Sequence, residues 1–269
     1  MSPSPLYRAE DVKSAYHLHY TWSGWPATGC LPSMPDLSLL ALAWESDGLR
    51  LLECNWEDRQ VQLAFSARPN VSPMLLATRA KGRLQYLLRD RGFPGFSRKV
   101  AVRSVGENRS ADIERYVNAQ VTRAGFVDPR FRESIQALTE VCADAELERP
   151  TEVRRGRYWY NLHMVFVVES RASITHLKTL ATIHDGVFRI AAKNRCRVAA
   201  ISVMPDHLHM ALRGSPEKSP QDLAMSMLNN LAFLLGQAPV WSKGYYAGTF
   251  SEYDMGAVRA SLGNKGSAS

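Results

Sequence analysis

No run of about 18 apolar residues occurs anywhere in the 269 residues, so a membrane-spanning helix is not expected. The opening Met-Ser-Pro-Ser-Pro-Leu-Tyr-Arg-Ala-Glu lacks a basic start and an apolar core, and no secretory signal is expected there. Cysteine is scarce. Cys30, Cys54, Cys142 and Cys196 stand far apart with no Cys-x-x-Cys pair, which argues against a cysteine zinc site or a disulfide framework and for the reduced thiols of a cytoplasmic protein. Acidic residues are outnumbered, 26 Asp+Glu against 33 Lys+Arg, for a net charge of +7. Residues 150–269 carry 14 basic and 8 acidic side chains (+6), whereas residues 1–149 carry 19 and 18 (+1). A polyanionic partner, nucleic acid before membrane, is favoured, and the basic face should belong mainly to the second half.

The apolar fraction of 45% is ordinary for a chain that buries a core, and the length suits one or two domains. Within it, Val203-Met-Pro-Asp-His-Leu-His-Met-Ala-Leu212 places two imidazoles at alternate positions of a strand-like stretch. Successive strand side chains point to opposite faces, so His207 and His209 project together while Leu208 and Met210 point the other way. Two histidines on one face can grip a divalent cation and leave positions for a third ligand and a substrate oxygen. A bare His-x-His is more often a pair of core or surface histidines. A second one, His17-Leu18-His19, sits in the alternating stretch Tyr16 to Trp22 and reads as part of a first strand.

Element signals recur in two rounds. After the Gly/Pro/Ser-rich loop 24–35 come a short helix over 36–44, strands over 49–55 and 60–65, and a helix from Ser72-Pro73 to about Arg89, with serine as cap and proline in the first turn. A strand over 100–105 and a helix over 110–121 follow. The second round has strands over 158–168, 196–203 and 206–212, a long helix over 174–193, a helix opened by Ser219-Pro220-Gln221-Asp222, a basic and aromatic strand over 241–250, and a last helix over 254–262. Laid over one another, Ser72-Pro73 meets Ser219-Pro220, Leu76-Ala77 meets Leu223-Ala224, and 96–120 meets 241–265 without a gap. Order and residue class therefore imply a duplicated unit: residues 1–125, a helical linker over 126–153 with a helix over 128–148, and residues 154–269.

The run Met-Pro-Asp-His-hydrophobic-His resembles the histidine motif of the single-tyrosine HUH nucleases, in particular the transposases of the insertion-sequence 200/605 class and the REP-associated tyrosine transposases. In the first half, Ile113-Glu-Arg-Tyr-Val-Asn-Ala-Gln120 is similar to that family's last helix, in which a tyrosine attacks DNA and a glutamine four residues later supplies the third metal ligand. The resemblance gives Tyr116 the nucleophile's role and Gln120 a ligand's beside His207 and His209. Residues four apart on a helix share a face. The halves have lost opposite parts: Gln60 and Gln62 stand where the second half has His207 and His209, and Ser261 and Lys265 stand where the first has Tyr116 and Gln120.

The resemblance implies an α+β protein of two tandem HUH-type, ferredoxin- or RRM-like domains, each an antiparallel sheet flanked by helices, together a pseudo-dimer with one composite site. It implies Mg²⁺ or Mn²⁺ as cofactor, single-stranded DNA with an adjoining hairpin as partner, a 5′-phosphotyrosine intermediate, and transposition as the biological class of reaction. An intramolecular pseudo-dimer could act as a monomer, with no membrane attachment. The alternative is a catalytically inactive, domesticated DNA-hairpin-binding protein. A replication or mobilisation nickase of the wider HUH group is disfavoured, because no helicase-like extension is visible. Arg98, Lys99, Arg154, Arg155, Arg157, Lys243 and Tyr246 are candidates for DNA binding through phosphate pairing and base stacking. For the arginine run a solvated charged face is the competing account. Trp241 and Tyr245 fit core packing at least as well, Tyr253 is no stronger a candidate, and Asp206 either orients a ligand histidine or caps its strand.

Overall fold

In the computed structural model, which describes residues 5–236 and 239–251, the described residues form twelve strands. The first group is β1 (Lys13–His17), β2 (His19–Pro26), α1 (Ala41–Ser46), β3 (Leu49–Glu57), β4 (Gln60–Ala67), α2 (Pro73–Leu87) and β5 (Phe96–Val105). Three short helices, α3 (Ser110–Asn118), α4 (Gln120–Ala124) and α5 (Pro129–Gln136), lead into β6 (Thr139–Val141), β7 (Thr151–Val153) and β8 (Gly156–Trp159). The second group is β9 (Asn161–Val168), α6 (Leu177–Lys193), β10 (Arg197–Val203), β11 (His207–Arg213), α7 (Pro220–Leu234) and β12 (Trp241–Thr249). The class is α+β, with two mainly antiparallel sheets. Among the described residues no helix is long and apolar enough to cross a membrane. The helix expected over 254–262, with Ser261 and Lys265, and Tyr253 just before it lie outside the described residues.

One six-stranded sheet has the order β1-β12-β9-β11-β10-β6 and the other β3-β4-β2-β5-β8-β7. Read from its far end, the second contains β8-β5-β2-β4-β3, which matches β1-β12-β9-β11-β10 strand for strand. Each holds one parallel pair, β1 with β12 and β8 with β5. Tyr16 to Trp22, expected as one strand, is therefore two. The chain leaves one sheet at His17, turns at fully buried Leu18 and enters the other at His19. Trp159, buried Tyr160 and Asn161 do the same in the opposite direction.

These crossings meet at a polar seam in an apolar interior. Ser104 Oγ accepts from the Asn161 amide at 3.0 Å and donates to the Phe250 carbonyl at 3.1 Å. Thr249 Oγ1 accepts from the His19 amide at 2.9 Å and donates to the Val105 carbonyl at 2.6 Å. Backbone groups that neither ladder can satisfy at the crossover are paired by these two hydroxyls, which removes an otherwise large desolvation cost. Gly106 follows directly, and a Cβ there would strike the Thr249 carbonyl.

From this seam α3 does not return to the sheet of β5. Its Ile113 and Val117 pack instead with Ala145, Ala199, Ala200, Ala211 and Phe250, an apolar cluster on the face of the other sheet. Helix starts follow their capping signals. Ser72 Oγ accepts from the Leu75 amide at 3.2 Å, and Ser219 and Asp222 bond reciprocally at 3.1 and 3.0 Å, each cap contributing about 1 kcal/mol.

Two further expectations are corrected. The helix expected over 128–148 spans only Pro129–Gln136, started by the Asp128 cap. Thr139-Glu140-Val141 becomes β6 because the free edge of β10 accepts it, Thr139 Oγ1 meeting Ser202 Oγ at 2.8 Å. A β-branched segment beside an unpaired edge outweighs the helix preference of its neighbours. The helix expected over 110–121 is interrupted at Ala119, so Tyr116 and Gln120 lie on consecutive helices, α3 and α4.

Candidate active site

The strand β11 aims its histidines by what it buries on its other face. Leu208, Met210 and Leu212 are fully buried in the main core, each worth about 1.5–3 kcal/mol relative to exposure. A register slip of one residue would expose them, so His207 and His209 are held on the opposite face. There α3 crosses them. The Tyr116 ring stands edge-on to the His209 ring, centroids 5.2 Å apart, and 6.0 Å from the His163 ring.

Gln120 completes the group. Its Nε2 donates to the Tyr116 carbonyl at 3.1 Å, which turns Oε1 toward His207 Nε2, 3.5 Å away. Asp206 Oδ1 lies 2.6 Å from His207 Nδ1, and Asp206 Oδ2 accepts from Arg171 at 3.1 Å. Asp206 thus orients the histidine, one of the two roles left open by the sequence. Partial burial pushes its carboxyl up, but the bonds from His207 and Arg171 and the attraction to His207 outweigh this, holding it below the usual carboxylate range. Arg171 and Ser170 adopt positive φ, 51° and 53°, at the end of β9.

His163, on β9, was not singled out as a site residue from the sequence, yet it belongs to this cluster. It is 8% exposed, and its Nε2 lies 3.2 Å from His209 Nδ1. Burial lowers the His163 imidazole to about 4. Burial, with the nearby His163 and His207, lowers His209 to about 3. Near neutral pH both are uncharged, the form in which an imidazole nitrogen carries a lone pair. The signal was available in outline. His163, Val165 and Val167 alternate along the strand beside β11 and line the same cleft.

The cleft has a volume of about 820 Å³, and Arg115, Arg123, Arg171 and Tyr246 stand along its walls. Arg123 lies over the Tyr116 ring, 5.2 Å from its centroid. Among the described residues no group of three or more His, Cys, Asp or Glu is disposed to hold a metal ion. The Gln120 amide oxygen, 3.5 Å from His207 Nε2, is a candidate third donor beside His207 and His209. The donor set of two imidazole nitrogens and one amide oxygen, each turned by a second hydrogen bond, fits a divalent ion.

The basic candidates divide. Lys99, Arg154, Arg155 and Arg157 line a separate cleft of about 910 Å³ along β5 and β8, beside Trp25. Arg157 is paired there with Glu152 at 3.2 Å. Arg98 is exposed one position before Lys99 and alternates to the other face of β5. Lys243 is exposed on β12, whereas Tyr246 enters the histidine cleft, its ring 5.8 Å from that of His163. Trp241 and Tyr245 are core residues packed on Phe166, and exposed His17 faces the Tyr246 ring, at 6.4 Å.

A histidine pair, a tyrosine and an amide are thus gathered over one mainly antiparallel sheet. Residues 157–262 match the family described as "Transposase IS200 like". The ISDra2 transposase TnpA of Deinococcus radiodurans is 31% identical over 81 residues, 29% of this chain and 58% of the relative's length. Among solved structures, a transposase from Deinococcus radiodurans R1 is 20% identical with a TM-score of 0.32, covering 39% of this chain and 89% of its own. A REP-associated tyrosine transposase bound to a REP hairpin is 13% identical with a TM-score of 0.30, covering 42% of this chain and 68% of its own.

Proposed function

We propose that this protein cleaves and rejoins single-stranded DNA at specific sites through a 5′-phosphotyrosine intermediate, as a transposase-like strand transferase with one composite active site. The observation that carries the reading is the meeting of Tyr116 and Gln120, from the first half of the chain, with His207 and His209 from the second, at 5.2 Å between rings and 3.5 Å between Gln120 Oε1 and His207 Nε2. The repeated strand order and the reciprocal Ser104 and Thr249 bonds support a duplicated unit folded as a pseudo-dimer, 1–125 and 154–269. The family match over 157–262 supports the class of chemistry.

His207 Nε2, His209 Nε2 and Gln120 Oε1 would hold Mg²⁺ or Mn²⁺, which when bound supplies polarisation of the scissile phosphate and neutralises charge that builds up in the transition state. The Tyr116 phenol loses its proton to solvent as its oxygen bonds to phosphorus. The bond from phosphorus to the 3′ oxygen breaks, and that oxygen leaves as a hydroxyl after taking a proton. The phosphotyrosine conserves the bond for attack by another 3′-OH. Arg123 beside the Tyr116 ring and Arg171 on the cleft wall attract the strand's phosphates and place its backbone over the phenol. Lys99, Arg154, Arg155 and Arg157 offer phosphate contacts to a flanking strand or hairpin; Arg98, Lys243 and Tyr246 complete the proposed DNA-binding set.

The test is incubation of the purified protein with 5′- and 3′-labelled single-stranded oligonucleotides and Mn²⁺, followed by denaturing electrophoresis. A covalent adduct that maps to Tyr116 and is lost in Tyr116→Phe is expected. Retained DNA binding without any adduct would overturn the reading in favour of the hairpin-binding protein.

A further inference from the structure

We propose that His163 is a positioning residue for His209: its Nε2 accepts the Nδ1 hydrogen of His209 and so fixes the tautomer that leaves His209 Nε2 as a lone pair facing the cleft. The inference rests on the cation-binding part of the proposed function. The two nitrogens are 3.2 Å apart, while the ring centroids are 5.4 Å apart and the planes 13° from parallel. Rings whose nitrogens approach this closely while their centres stay so far apart meet edge to edge, in the plane where an N–H···N bond forms.

A neutral imidazole has one N–H and one lone pair. The proton shared by this pair sits either on His209 Nδ1 or on His163 Nε2. In the first case His209 Nε2 is a donor to metal; in the second it carries a hydrogen and cannot ligate. The tautomer of His163 therefore decides whether His209 is a ligand at all. His207 receives the same treatment from Asp206, whose carboxylate can only accept, at 2.6 Å from Nδ1. The two histidines are thus set by different means, one by an anion and one by a neutral ring that adds no charge to the site.

The other sheet lacks both parts together. In the ladders, His209 pairs with Val165, two residues beyond His163, and Gln62 pairs with Ser23, two residues beyond Thr21. Thr21 thus holds the place of His163 in the sheet where Gln60 and Gln62 replace the imidazole pair. An acceptor for a histidine has no task where there is no histidine to orient.

The test uses full-length, metal-free protein with ¹⁵N-labelled histidine. Long-range ¹H–¹⁵N correlation near neutral pH reads the tautomer directly, and His209 is expected with hydrogen on Nδ1 in the wild type. His163→Gln keeps an accepting oxygen and should keep that tautomer, whereas His163→Leu should move hydrogen to Nε2. In parallel, Mn²⁺ binding followed by electron paramagnetic resonance should weaken about 10- to 100-fold in His163→Leu and stay near wild type in His163→Gln. Hydrogen on His209 Nε2 in the wild type, or unchanged Mn²⁺ affinity in folded His163→Leu, would overturn the inference. If the wild type shows the expected tautomer but binds no Mn²⁺, the positioning stands and the cation reading of the site falls.

Discussion

Gln120 Oε1 lies 3.5 Å from His207 Nε2 across 87 residues of chain, and the bond from its own Nε2 to the Tyr116 carbonyl ties that contact to the tyrosine. Two sheets joined by crossing strands bring these residues together, and the chemistry of the cleft depends on that junction.

Changing Gln120, or the carboxylate behind His207, should be read first in cation binding. Gln120→Leu removes the oxygen donor and Asp206→Asn weakens the acceptor at His207 Nδ1. Each is expected to weaken Mn²⁺ binding about 10- to 100-fold by titration calorimetry, with far-ultraviolet circular dichroism unchanged. Affinity unaltered in both variants would remove Gln120 and Asp206 from the site.

The seam is expected to be the least tolerant part of the fold. Ser104→Ala leaves the Asn161 amide without its hydroxyl acceptor, and Thr249→Val does the same to the His19 amide. Each should cost about 1–3 kcal/mol in urea unfolding. Gly106→Ala should cost at least as much, because its Cβ meets backbone rather than a movable side chain. Losses below about 0.5 kcal/mol in all three would contradict the crossover.

Much of the site was legible because its parts are local patterns. Leu208, Met210 and Leu212 alternating with His207 and His209 fix a strand and its faces, and the Tyr116 and Gln120 spacing fixes a shared side that survives the break at Ala119. Alternation does not say which strand pairs with which, so the turns at Leu18 and Tyr160, where the chain changes sheets, were invisible. The same blindness hid β6, whose β-branched residues become a strand only beside the edge of β10. His163 escaped notice because a lone histidine on a buried strand gains meaning only from the His209 nitrogen facing it.

Cysteine reactivity checks the burial pattern independently. Burial raises the Cys54 and Cys196 thiols to about 11, so at pH 8 roughly one molecule in a thousand carries the reactive thiolate at either position. Lower pH reduces that fraction further and higher pH restores it. Exposed Cys30 should be alkylated first by iodoacetamide in native protein, with Cys54 and Cys196 modified only on unfolding, as peptide mass spectrometry would show. Equal rates at all four would contradict the packing.

The arginine-lined cleft predicts salt-dependent DNA binding. The triple variant Arg154→Ala, Arg155→Ala, Arg157→Ala should weaken single-stranded oligonucleotide binding and reduce the slope of log affinity against log salt by about 0.7 for each phosphate that is no longer neutralised. An unchanged slope in fluorescence anisotropy would leave those side chains as a solvated charged face.

If one chain supplies both halves of one site, two variants that each lack a different half cannot rescue one another when mixed. Tyr116→Phe and the double variant His207→Ala, His209→Ala are purified separately, checked for monomeric state, and mixed with labelled single-stranded DNA and Mn²⁺ beside the wild type. Covalent adduct is expected from the wild type alone and from neither variant nor their mixture. Recovery of adduct in the mixture would show that the tyrosine of one chain serves the histidines of another, and would overturn the single-chain site.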